Sequence, residues 1–139
     1  MTEEGLEMWR RHEGLRLKAY LCPSGKLTIG YGHTGGVKQE DVITTERAEE
    51  MLAEDMAIAE KDARALVRQF DQLSPRRQDA LINLAGNMGR TVLGTFHNFL
   101  NDVRTGNFTS AATSLACSKW AKQVGPTRSG DIIGAIRRG

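Results

Sequence analysis

The stretch EGLRLKAYLCPSGKLTIGYGH, residues 13–33, is where the hydrophobic period changes from 3.6 to 2. Leu15, Leu17, Ala19 and Leu21 alternate with Arg16, Lys18, Tyr20 and Cys22, the pattern of a strand with one face buried. Pro23-Ser24-Gly25 turns the chain. A second alternation sets Leu27, Ile29 and Tyr31 against Lys26, Thr28, Gly30 and Gly32, so residues 15–32 read as a β-hairpin with Cys22 and Thr28 flanking its turn.

On the N-terminal side, Thr2 is placed to cap a helix that runs to Glu13-Gly14, with Leu6 and Trp9 on its apolar side. On the C-terminal side, His33 to Gly36 reads as loop, and residues 37–43 as a short third strand or a turn. From Thr45 to Phe70 apolar residues recur every three or four positions without an interior Gly or Pro, which predicts one amphipathic helix. At roughly 26 residues that helix would span nearly 40 Å, more than a domain of this mass is wide, so it is expected either to connect two lobes flanking a cleft or to break near its end. Ser74-Pro75 opens a further helix that ends at Asn87-Met88-Gly89. Phe96 to Val103, Ala111 to Trp120 and Ile132 to Ile136 mark more helix, punctuated by Gly106 and Gly125-Pro126. The expected class is α+β within a single domain: an N-terminal lobe over about 13–44, a connecting helix over about 45–70, and a helical C-terminal lobe over about 71–139 that takes in the first helix, 2–13.

Composition sets the outer bounds. The chain has 139 residues, 40% hydrophobic and 26% charged, which are globular values. Its apolar runs are far short of the ~20 residues that cross a bilayer, and Met1-Thr2-Glu3-Glu4 does not read as a signal peptide. No stable membrane insertion is expected. The net charge of +2 conceals an asymmetry: residues 1–70 hold 10 basic and 13 acidic side chains, residues 71–139 hold 9 and 4. A cationic second half suits any polyanion, but without a long basic run or interleaved aromatics nucleic acid is not the expected partner. Cys22 and Cys117 lie in no CxxC and near no histidine at ligand spacing, so no metal is expected; both read as free thiols buried as small hydrophobes, with one disulfide left open.

Glu13 stands where the first helix hands over to the hairpin, and Cys22 and Thr28 follow at spacings of nine and six, so all three are able to face one groove. Cleaving an acetal needs a carboxylic acid to protonate the leaving oxygen and a group opposite to assist the oxocarbenium-like carbon. Glu13 suits the first task.

Glu13-Gly14-Leu15-Arg16-Leu17-Lys18-Ala19-Tyr20, Pro23-Ser24-Gly25 and Leu27-Thr28-Ile29-Gly30-Tyr31-Gly32-His33 together resemble the phage endolysins of the T-even lysozyme type, glycoside hydrolase family 24. The signature of that family is Glu, eight residues, Asp or less commonly Cys, five residues, Thr, and Glu13, Cys22 and Thr28 fit it position by position. Weaker similarity continues through Asn87-Met88-Gly89, Ser118-Lys119-Trp120 and Pro126-Thr127-Arg128.

The resemblance implies a lysozyme-like fold and a cofactor-free muramidase that cuts the β-1,4 link between N-acetylmuramic acid and N-acetylglucosamine in bacterial peptidoglycan. Glu13 would be the general acid, Thr28 would orient water, and Cys22, in place of the commoner Asp, would be base, nucleophile or water-positioning group. Whether the outcome is inverting or retaining stays open. Arg128 matches an arginine set against the glutamate, where it would orient Glu13 or pin the lobes, and with Asn87, which matches a cleft-lining polar side chain, it is expected to bind substrate. His33 and Asp55 match a structural histidine–aspartate tie, while Trp9 and Trp120 read as core. A monomer made in the host cytoplasm and released to the wall through a holin is the corresponding expectation. Two rivals stand beside it: a lytic transglycosylase, and a wall-glycan binding module that lost activity when Asp became Cys.

Overall fold

Thr2 opens the first helix as its composition suggests: Oγ1 accepts from the Gly5 amide at 3.0 Å, and α1 runs Glu3–Glu13. Gly14, at φ +68°, ends it, with its amide on the Arg10 carbonyl at 2.8 Å. The computed structural model describes residues 1–139 throughout. The hairpin follows as β1, Arg16–Leu21, and β2, Leu27–Gly30, paired antiparallel with Tyr20 opposite Thr28 and Leu21 opposite Leu27. A bulge lies between Arg16 and Tyr20. The third-strand reading of residues 37–43 reduces to an isolated bridge of Val42 to Lys18, flanked by Ala19 N–H to Asp41 O at 3.0 Å and Ile43 N–H to Leu17 O at 2.9 Å.

One expectation for the hairpin fails. No residue of β1 is buried, and Leu17 and Leu21 are 38% and 68% exposed. Burial comes instead from Thr28, Ile29 and Gly30 of β2. Alternation shows that a strand has an apolar face, but not that another layer covers it.

The long helix α2 is Thr45–Leu66, its first turn capped by Thr44 Oγ1, which accepts from the Arg47 amide at 3.1 Å. It ends four residues before Phe70, the break near its end that its length allowed, and the hydrogen bonds give the reason. In a continuing α-helix the Phe70 amide would bond to the Leu66 carbonyl; here it bonds to Val67 O at 3.1 Å, and residues Phe70–Gln72 tighten into a 3-10 turn. Arg104 supplies the missing donors to Leu66 O from Nε at 3.0 Å and Nη2 at 2.7 Å.

The rest is helical: α3 Pro75–Met88, α4 Arg90–Gly94, α5 His97–Thr105, α6 Phe108–Ala116, α7 Lys119–Val124 and α8 Pro126–Arg138. Ser74 accepts from the Arg77 amide at 3.3 Å and Ser118 from the Ala121 amide at 3.3 Å, while Gly106 closes α5 in the left-handed region at φ 82°. The short α4 was not apparent in the hydrophobic pattern. α8 packs on α3, α6 and α7, and α5 on α6, burying Leu81, Leu84, Phe99, Leu100, Leu115, Ile132 and Ile136. Arg77 stacks on Phe108 at 3.5 Å and donates to Ile136 O at 2.7 Å, satisfying the last turn of α8.

The chain divides into two units, residues 1–5 with 58–139 and residues 6–57, so the division falls inside both α1 and α2. The first unit holds the start of α1 through Asp79 of α3, a buried carboxylate that accepts from the Thr2 amide at 3.0 Å and from the Thr2 hydroxyl. Gly5 belongs to that joint, because a Cβ there would lie 2.4 Å from Asp79 Cγ. No helix is long and apolar enough to cross a membrane.

Candidate active site

Glu13, Cys22, Thr28, His33 and Asp55 all fall in the unit 6–57, whereas Asn87 and Arg128 fall in the other.

Glu13 ends α1 half-buried, and the turn after β2 holds it in place. A Cβ on Gly32 would lie 2.4 Å from Glu13 Oε2 and 2.7 Å from its Cδ, so the carboxyl rests against the bare α-carbon of a glycine at φ +82°. Both supports of this seat are tied to one carboxylate on α2. Glu49 accepts from Arg10 Nε at 3.3 Å and Nη2 at 3.0 Å, one turn before Glu13, and from the Tyr31 hydroxyl at 3.2 Å, one residue before Gly32. The Arg10 guanidinium holds the Glu49 carboxyl below the usual carboxylate range, and burial with the adjacent Glu49 pushes the Tyr31 phenol up. Trp9, buried as expected, donates from Nε1 to Tyr31 O at 3.4 Å.

Cys22 lies at the other end of the hairpin. Its amide donates to Lys26 O at 3.0 Å and its carbonyl accepts from the Gly25 amide at 2.8 Å, so the turn fixes its backbone. Sγ lies 2.9 Å from Ser24 Oγ, and hydrogen bonds from the Ser24 hydroxyl first, then from the Lys26 backbone and Thr28, lower the thiol to about 7. Thr28, 2% exposed, donates to Lys26 O at 3.0 Å. Its single proton serves either that carbonyl or the sulfur, which makes it an adjustable partner for a small polar molecule beside Cys22. Both cysteines are free: Cys117 is exposed rather than the buried hydrophobe expected, and Cys22 is half-buried, as an active role beside the turn requires. A thiol at a hairpin turn or a helix end has no layer to cover it.

His33 Nδ1 lies 2.9 Å and 3.0 Å from the two Asp55 oxygens, and Nε2 lies 2.8 Å from Gly35 O. With both nitrogens engaged, the ring is tied to α2 on one side and to its own loop on the other. In the larger unit, the exposed Asn87 accepts from Trp120 Nε1 at 2.7 Å, and Arg128 Nη2 donates to the buried Asn83 at 3.4 Å. Trp120 is buried, as expected.

Gly32, Ser24 and the Arg10–Glu49–Tyr31 set were not singled out from the sequence. The two small residues sit in GYGH and PSG, where turn chemistry explains them without a partner. Glu49 is one acidic residue on an exposed helix stripe, and its partners lie 39 and 18 positions away.

This arrangement of a helix-end carboxyl, a two-stranded hairpin and a helical second unit is that of a lysozyme-like hydrolase, and the chain belongs to the phage lysozyme family, whose model matches residues 10–138. Among its relatives it is 36% identical, over 99% of its own length and 91% of theirs, to an endolysin of Acyrthosiphon pisum secondary endosymbiont phage 1. It is 34% identical to the endolysin of Salmonella phage P22, covering 87% of this chain and 84% of that one. A probable T4-type lysozyme of Dictyostelium discoideum is 26% identical over 96% of this chain and 93% of its own.

Proposed function

We propose that this chain is an endolysin that hydrolyses the β-1,4 bond between N-acetylmuramic acid and N-acetylglucosamine in bacterial peptidoglycan and so lyses the host cell. The observation that carries this reading is the seating of Glu13 against Gly32 in the same unit that sets Cys22 beside Thr28. Glu13 delivers its proton to the glycosidic oxygen as the bond to the anomeric carbon breaks. Thr28 and Cys22 hold the water that completes hydrolysis, the hydroxyl orienting it and the sulfur accepting its proton or polarising it. Asn87 and Arg128 contact the substrate, and the His33–Asp55 tie is structural. The chemistry requires no metal or cofactor. The protein acts as a monomer, is made in the host cytoplasm, and reaches the wall after a holin opens the membrane.

Digestion of purified peptidoglycan with analysis of the muropeptides by mass tests this. Reducing muramic ends are expected. Anhydro ends would make the chain a lytic transglycosylase, and bound but intact peptidoglycan would make it a binding module. Glu13→Gln keeps the shape of the side chain and removes the proton, so turnover should fall by about 10²–10⁴-fold with glycan binding kept. A variant retaining more than a tenth of the turnover would take Glu13 out of the mechanism.

A further inference from the structure

Tyr20 and Thr28 are partners across the hairpin, and partners in an antiparallel pair project from the same face. Cys22, two residues beyond Tyr20, continues the pairing through its amide on Lys26 O at 3.0 Å, and the alternation of a strand sets it on that face as well. The guanidinium of Arg16 lies 4.2 Å over the centroid of the Tyr20 ring. The bulge between Arg16 and Tyr20 leaves this contact intact, and the cation is laid along the face from which Cys22 and Thr28 project. Arg16 is exposed and pairs with no carboxylate of the chain, unlike Arg10, Arg47, Arg64 and Arg76. The ring restricts the side chain to one side while its N–H edges stay open to solvent, so less rotamer freedom is lost when an anion binds.

Resting on the muramidase reading above, we propose that Arg16, held on Tyr20, binds a carboxylate of the substrate and selects wall glycan that carries peptide over glycan that does not. Each muramic acid bears a lactyl group from which a short peptide with free carboxylates extends, whereas N-acetylglucosamine bears neither. A planar guanidinium recognises such a carboxylate through two parallel hydrogen bonds. The acid and the water-handling groups act on the glycosidic bond; Arg16 would read the substituent beside it.

The test crosses one change in the enzyme with one in the substrate. Initial rates of reducing-end release are measured for the wild type and Arg16→Gln on native peptidoglycan and on peptidoglycan whose carboxyls have been converted to methylamides. Thermal melts confirm that the exposed substitution leaves the fold intact. The wild type should lose about tenfold in kcat/KM on amidation, which corresponds to about 1.4 kcal/mol. Arg16→Gln should start about tenfold lower on the native polymer and lose several-fold less than the wild type on amidation, keeping only the loss of long-range attraction that both enzymes share, and its deficit on the native polymer should lie in KM rather than kcat. Wild-type rates for Arg16→Gln on native polymer, or the same loss on amidation for both enzymes, would overturn the assignment. A wild type that releases no reducing ends from native peptidoglycan would remove the muramidase reading itself, a failure visible without the variant.

Discussion

The thiol of Cys22 acquires its character from three neighbours in one turn. Ser24 is placed by the Pro23-Ser24-Gly25 bend, Thr28 by the strand register, and the Lys26 backbone by the turn hydrogen bond. A hydroxyl that donates to sulfur stabilises the thiolate, which is why the thiol sits near 7 although no cation is among its main partners. In a Cys117→Ser background, alkylation of Cys22 by iodoacetamide should follow a titration centred near pH 7, and Ser24→Ala should move the midpoint up toward the free-thiol value of about 8.5. An unmoved midpoint would remove Ser24 as the cause. If the sulfur acts in the reaction, Cys22→Asp keeps activity, Cys22→Ala loses much of it, and substrate protects the wild type from alkylation. Full activity in Cys22→Ala would leave the water to Thr28 alone. That Cys22 and Thr28 flank one hairpin turn was legible from the alternation on either side of Pro23-Ser24-Gly25. The Ser24 contact was not, since a serine between proline and glycine is already accounted for by the turn.

The elements follow their sequence signals where those signals are local, and depart from them where a distant side chain intervenes. Thr2, Ser74 and Gly106 mark helix ends because each acts on backbone groups within a turn of itself. The end of α2 could not be read the same way, because the donor that takes the Leu66 carbonyl comes from Arg104, 38 positions away. The same holds for Glu49, which fastens the last turn of α1 and the turn after β2 to α2 and so sets the seat of Glu13 from both sides. Its carboxyl is lowered in the folded protein, with the Arg10 hydrogen bond as the main cause, so the sign of its effect on stability is fixed. The contribution is complete above the unfolded carboxylate value of about 4.3 and is lost as pH falls through the lower folded value. Glu49→Gln should therefore melt roughly 2–4 °C below the wild type at pH 7 and approach it at the acid end of the folded range. A gap that stays constant from pH 7 to pH 2.5 would show that the ion pair is not its source. If Glu13 is the acid, as proposed above, loosening its seat should also lower kcat at pH 7 with KM little changed.

Over the whole molecule the charge asymmetry seen along the sequence coincides with the division of the chain. The unit formed by residues 1–5 and 58–139 carries 12 basic and 8 acidic side chains, and the unit 6–57 carries 7 and 9. The unit that contains Glu13, Cys22 and Thr28 is thus mildly acidic, and the excess of positive charge belongs to the helical unit, with Lys119, Lys122, Arg137 and Arg138 exposed on α7 and α8. Peptidoglycan with its peptide carboxylates is polyanionic, so under the proposed function the helical unit would draw the enzyme to the wall while the hairpin unit would supply the cleaving groups. Such attraction between exposed charges is sensitive to screening, because the Debye length shrinks from about 8 Å at 0.15 M to about 3 Å at 1 M salt. Raising salt over that range should increase KM for peptidoglycan several-fold, while kcat at saturating substrate stays within about twofold. Exchanging Arg137 and Arg138 for glutamine, at the far end of α8 from Arg128, should flatten the salt dependence without altering kcat. A KM that ignores salt, or a kcat that falls in step with it, would separate the positive charge of the helical unit from substrate capture.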